Sequence, residues 1–60
     1  SLVGKIGTAR TVVEGSGGQV QLGAELWSAE SVDIAEPIGK GDRVEVVEVK
    51  GLRLKVRKAK

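Results

Sequence analysis

From Leu52 onward the chain alternates cleanly: Leu52, Leu54 and Val56 share one parity, and Arg53, Lys55 and Arg57 share the other. Side chains on a strand point to opposite faces with a period of two, so this segment reads as a strand with an apolar and a basic side. Such a strand must bury one face. With 60 residues available, one domain is expected, and its core must come from other short segments of the same chain. Those segments are rich in Val, which fits a pleated, half-buried surface. Nine glycines and one proline supply tight connections between them.

Four further strands are predicted. Val3–Val13 reads as a long first strand with a bend near Gly7, because glycine inside a strand marks a bend or bulge. On it Ile6, Thr8, Arg10 and Val12 face one way, and Lys5, Gly7, Ala9, Thr11 and Val13 the other. After the loop Glu14–Gly18 comes a short strand, Gln19–Leu22, with Val20 and Leu22 inward. Gly23 and Ala24 turn the chain into a third strand from Glu25 to about Val32, where Trp27 and Ala29 share the inner face and Leu26 the outer. Pro37, Gly39 and Gly41 leave no room for a stable helix in the connector 33–42. Arg43–Val49 is the fourth strand. Its valines change parity between Val46 and Val47, which predicts a bulge there or burial on both sides. Lys50 and Gly51 turn the chain into the fifth strand, and residues beyond Lys58 are expected to fray. The expected core is Val20, Leu22, Trp27, Ala29, Val44, Leu52, Leu54 and Val56. Five short strands in so small a chain predict an all-β fold without substantial helix. Closing them into a barrel removes unpaired edges.

The composition narrows the chemistry. There is no cysteine and no histidine, so thiolate metal sites, disulfides and the commonest general base are absent. The Gly15-Ser16-Gly17-Gly18 stretch reads as a flexible turn, since nothing here can activate Ser16 and the spacing of a nucleophile elbow is missing. Lys40 is followed by Gly41, which breaks a phosphate-binding loop pattern. Glu25, Glu30, Asp33, Glu36 and Asp42 are read as solvated charges, without the spacing of a calcium loop. No catalytic residue, metal ligand or cofactor is therefore expected. Charge is uneven: all eight acidic residues precede Lys50, and six of the ten basic residues lie from Lys50 to Lys60. The outward basic residues Arg53, Lys55 and Arg57, together with Leu26, are the candidate partner-binding positions. They suit an acidic partner or, alternatively, anionic lipid headgroups. No apolar run approaches the roughly 20 residues needed to span a bilayer, and no signal peptide is visible.

The order of small and apolar residues carries a resemblance. Gly4, Gly7 and Ala9 are followed by Gly23, Glu25, Trp27 and Ala29. Ile38, Gly41, Val44, Val46, Val49, Gly51, Leu52, Leu54 and Val56 complete it. This pattern resembles the C-terminal soluble domain of NfeD-like membrane proteins and covers nearly the whole chain. The resemblance implies a five-stranded OB-like barrel, the soluble fragment of a longer membrane-attached protein, here expected on the cytoplasmic side. It implies association with stomatin- or prohibitin-type membrane proteins, and a role in membrane protein quality control or membrane organisation. Longer members of the family carry a separate serine-protease domain, to which nothing here corresponds. The expected function is thus a non-catalytic protein–protein interaction module. An alternative is an OB domain binding single-stranded nucleic acid. Such sites combine a basic groove with several stacking aromatics, whereas Trp27 is the only aromatic residue here. A lipoyl-like carrier would need a lysine at a hairpin tip; Lys40 and Lys50 lie in turns but lack the flanking residues of such carriers.

Overall fold

The computed structural model describes all 60 residues. Five strands form, β1 (Ile6–Ala9), β2 (Gly18–Leu22), β3 (Glu25–Ser31), β4 (Arg43–Lys50) and β5 (Arg53–Lys58), with no helix. They close into a barrel in the order β1-β2-β3-β5-β4, so every strand has two neighbours. All pairs are antiparallel except β3 with β5. That one parallel pair places the start of β5 beside Ser28. The β2–β3 and β4–β5 turns consequently lie at the same end of the barrel, and the connector between β3 and β4 lies at the other.

The first strand is shorter than the pattern predicts. Gly4 has φ +90°, and the Lys5 N–H donates to the Leu2 carbonyl at 3.0 Å, so a tight turn occupies the expected strand start. At the other end the Thr11 hydroxyl accepts from the Gln19 N–H at 3.1 Å and donates to the Val12 carbonyl at 2.8 Å. Local side-chain bonding of this kind competes with strand pairing. The remaining four residues still do the expected work of pairing on both sides: Ile6, Gly7 and Thr8 lie against β4, and Thr8 and Ala9 against β2. Gly7 marks the hand-over. A Cβ there would collide with the Gln21 carbonyl, so its role is close backbone approach. The chain then rejoins the barrel at an isolated bridge between Val13 and Ile38.

The predicted irregularity in β4 is present. Val46 pairs with Val56 and Glu48 with Lys55, leaving Val47 as the extra residue of a β-bulge. Val44 and Val46 are buried, while Val47 and Val49 are both exposed; after the bulge Val49 pairs with Leu54.

The core comprises Ala9, Val13, Val20, Leu22, Ala29, Ile38, Val44, Val46, Leu54 and Val56, with no buried polar side chain among them. Two expected core positions are corrected. Leu52 has the right parity but precedes β5, at the turn beyond the barrel end, and is 87% exposed. Trp27 is on the inner parity, opposite Val20, yet it is only half-buried and packs against the rim of the core. A barrel this narrow is filled by Val, Leu, Ile and Ala, and the indole packs against that core without being enclosed by it. Ile38, from the connector, plugs one end and is fully buried. The tail does not fray at Lys58: the Ala59 N–H donates to the Arg43 carbonyl at 2.8 Å.

Candidate functional site

The polar residues weighed as chemistry are dispersed. Ser16 sits in an exposed turn closed by reciprocal backbone bonds between Glu14 and Gly17, both 3.1 Å. The Glu25 carboxylate accepts from the Trp27 Nε1–H at 3.3 Å. Asp33 accepts from the Ala35 N–H at 2.9 Å, forming a local turn. The Asp42 carboxylate accepts from the Gly39 N–H at 2.8 Å and lies 3.6 Å from Lys58. Glu36 stands exposed in the connector. No three carboxylates converge on a point where they could hold a metal ion.

Closure of the barrel changes the character of the basic strand. Its neighbours are β3 and β4, and both present acids to it. Arg57 lies opposite Glu45, and its Nε and Nη2 groups donate to the same carboxylate oxygen at 3.2 and 2.9 Å. Lys55 lies between Glu30 on β3 and Glu48 on β4. Arg53 reaches Glu30 at 3.7 Å. The three basic candidates are therefore brought together as predicted, but as part of a charge mosaic. Their pairings are invisible in the linear pattern because their partners lie up to 25 positions away (Lys55 and Glu30).

Leu26, the fourth candidate, has different company. It is 54% exposed and lines a shallow depression with Glu25, Trp27, Ser28 and Leu52. The β4–β5 turn carries Leu52 there because β5 starts beside β3. Two exposed leucines and an indole thus share a depression of mixed polar and apolar character with Glu25 and Ser28 at the hairpin end, with Arg53 at the adjoining strand start. Leu52 is one of the two expected core residues that the structure places elsewhere. Its position immediately after Gly51 in a turn is the signal that it projects past the barrel. A second apolar hollow at the opposite end, lined by Val12, Ile34 and Pro37 among others, has no counterpart among the sequence-predicted sites.

The chain was compared with known proteins. The family model described as "NfeD-like C-terminal, partner-binding domain" matches residues 1–58. Two solved structures align over nearly the whole chain. The C-terminal domain of stomatin operon partner protein 1510-C from Pyrococcus horikoshii is 33% identical, with a TM-score of 0.86, covering 98% of this chain and 89% of that one. The soluble domain of a membrane protein implicated in regulation of membrane protease activity, from Corynebacterium glutamicum, is 32% identical, with a TM-score of 0.87, covering 97% and 94%. A search of curated proteins gave no match. A five-stranded closed barrel, a family match across residues 1–58 and two similar structures together make this chain a member of the NfeD-like C-terminal, partner-binding domain family.

Proposed function

We propose that this domain is a non-catalytic docking module of a membrane-attached NfeD-like protein, and that it binds a stomatin- or prohibitin-type membrane protein through its hairpin end. Membrane attachment of the whole protein is supported by the soluble-domain origin of the Corynebacterium glutamicum structure. A stomatin-type partner is supported by the Pyrococcus horikoshii protein's association with a stomatin operon. The module then acts in membrane protein quality control by placing its membrane-anchored chain beside that partner, with no bond made or broken on the barrel itself.

The observation that carries the choice of surface is the exposure of Leu52 and Leu26 beside Trp27. Interface energy concentrates in a few anchors, with Trp, Tyr and Arg favoured over Leu, so Trp27 and Arg53 are the anchor types here and the two leucines add apolar area around them. Arg53, next to the depression, supplies a charge at its border. Lys55 and Arg57 lie further along β5 among carboxylates, where they contribute to complementarity more than to anchoring. Titration of a purified stomatin-type partner onto the domain tests this. The double variant Leu26→Ser, Leu52→Ser should bind at least roughly tenfold more weakly, the loss expected when the apolar area around the anchors is removed, with an unchanged circular dichroism spectrum. Retained affinity in the folded double variant would refute the hairpin end as the docking surface.

A further inference from the structure

At the end of the barrel away from the hairpins, the connector folds over the segment that follows β1. Between them is a hollow of about 300 Å³. Its apolar lining consists of Val12, Val13, Ile34, Pro37 and Ile38, and its charged lining is Glu14, Asp33 and Glu36. No basic residue lines it. Ile34 is 88% exposed and Val12 54%, and here the two exposed side chains stand together around one hollow.

The walls are fixed before anything binds. The Ser31 N–H donates to the Glu14 carbonyl at 2.9 Å, and the Val13 N–H to the Ile38 carbonyl at 3.0 Å. Asp33 holds the loop that carries Ile34 through its bond from the Ala35 N–H, and the Ser31 hydroxyl donates to the Asp33 carbonyl at 3.1 Å. The exposed isoleucine is therefore presented on a hydrogen-bonded turn.

The charge of the rim selects the occupant. The carboxylates of Glu14 and Glu36 take part in none of the three ion pairs, which join Arg53 to Glu30, Arg57 to Glu45 and Lys58 to Asp42. The chain's own basic tail is the nearest source of compensation. Arg57, Lys58 and Lys60 border a neighbouring hollow that shares Asp33 and Glu36. Arg57 is paired with Glu45 and Lys58 with Asp42, so Lys60 is the one cation of that border outside an ion pair, against the three carboxylates of Glu14, Asp33 and Glu36, and the rim keeps a net negative charge.

We infer that this hollow is a second docking site, separate from the hairpin end, and that it receives a protein segment in which an aliphatic side chain is flanked by Lys or Arg. The aliphatic group covers Ile34, Val12 and Pro37, and the flanking cations meet Glu14 and Glu36. Complementary charge at a border chiefly sets specificity and salt dependence, while the apolar contact sets the lifetime. A domain with both sites can hold two segments at once, one at each end. The inference stands independently of the identity of the stomatin-type partner.

The test uses the ¹⁵N-labelled chain and a short acetylated, amidated peptide, Lys-Leu-Lys-Ile-Lys, with Glu-Leu-Glu-Ile-Glu as the control. Amide shifts should saturate at Val13, Gly15, Ile34 and Ile38 with a Kd on the order of 0.1–1 mM, and the acidic peptide should leave them unmoved. Ile34→Ser, and separately Glu14→Lys with Glu36→Lys, alter exposed side chains. Each should weaken the basic peptide roughly tenfold while keeping the fold, as loss of an anchor or of rim complementarity predicts. The Leu26→Ser, Leu52→Ser variant should bind this peptide normally, which separates this site from the hairpin-end reading. Absence of saturable shifts at the hollow, equal response to the acidic peptide, or shifts confined to the hairpin end would overturn the inference. So would shifts of these amides on concentrating the protein without peptide, because the occupant would then be a second copy.

Discussion

Leu52 and Leu54 are two positions apart, on the same parity, and have opposite fates. Leu54 is fully buried between Ala29 on β3 and Val49 on β4. Leu52 stands 87% exposed at the turn. Burial of an aliphatic side chain depends on having neighbours on both flanking strands, and at Leu52 the barrel has ended. Leu54→Ala should cost about 2–5 kcal/mol, the usual range for a large-to-small change in a core. A domain of this size has a total stability of roughly 3–5 kcal/mol, so the variant should be largely unfolded. Leu52→Ala should stay within about 0.5 kcal/mol of the parent. Urea unfolding of the two variants side by side measures both, and equal destabilisation would contradict the placement of Leu52. The same reasoning revises the weight given to Trp27. Being half-buried, it is expected to cost less on truncation than a sealed core residue, despite being the largest side chain in the molecule.

At the scale of elements, the connector is as important as the strands. It has no regular structure, yet it delivers Ile38 to the core and closes one end of the barrel. Its return to β4 is organised by Asp42. The Asp42 N–H donates to the Gly39 carbonyl at 3.0 Å, the Asp42 carboxylate accepts from the Gly39 N–H, and the Asp42 carbonyl accepts from the Ala9 N–H at 2.8 Å. Removing the carboxylate leaves the half-buried Gly39 N–H unsatisfied. Asp42→Ala should therefore destabilise by about 1–2 kcal/mol. Asp42→Asn, which keeps an acceptor and loses only the exposed ion pair to Lys58, should recover most of that loss because such a pair is worth about 0–1 kcal/mol. Guanidinium denaturation of the two variants distinguishes the turn-closing role from a charge effect; equal losses would assign the effect to the ion pair. The bulge at Val47 is the other element-level device. It adds a bend and local twist to β4, of the kind a small sheet needs to curl shut, and beyond it both Val47 and Val49 are exposed.

The whole molecule, about 26 × 20 × 19 Å, is a closed shell whose outer surface differs from one end to the other. The hairpin end exposes Leu26 and Leu52 beside Trp27, among Glu25 and Ser28. The connector end is apolar and acidic around Ile34, Glu14 and Glu36. Between them, β5 lays its cations against the carboxylates of β3 and β4. This distribution disfavours a continuous nucleic-acid track. A single strand would meet Glu30, Glu45 and Glu48 alternating with Arg53, Lys55 and Arg57, and would find one indole for stacking, where such sites use several aromatics. Titration of a fluorescent oligothymidylate at low salt should accordingly give no saturable signal. Binding that weakens steeply with added salt would revive the OB-type nucleic-acid reading, because counterion release is the signature of phosphate contact.

Strand existence, order along the chain and inward parity were legible in the residues, because a period of two is a local property that each segment carries alone. So was the bulge, which shows as a parity conflict inside Val44–Val49. The ends of the elements were not. Where β1 begins and stops depends on a turn at Gly4 and on the Thr11 side chain, and where burial ends along β5 depends on how far β3 and β4 extend beside it. The surface required the tertiary structure most of all. Parallel pairing of β3 with β5 sets Glu30 beside Lys55, brings Leu52 to Leu26, and leaves the acidic hollow at the far end. Those juxtapositions arise from closure of the barrel, which joins positions that no local pattern in the chain connects.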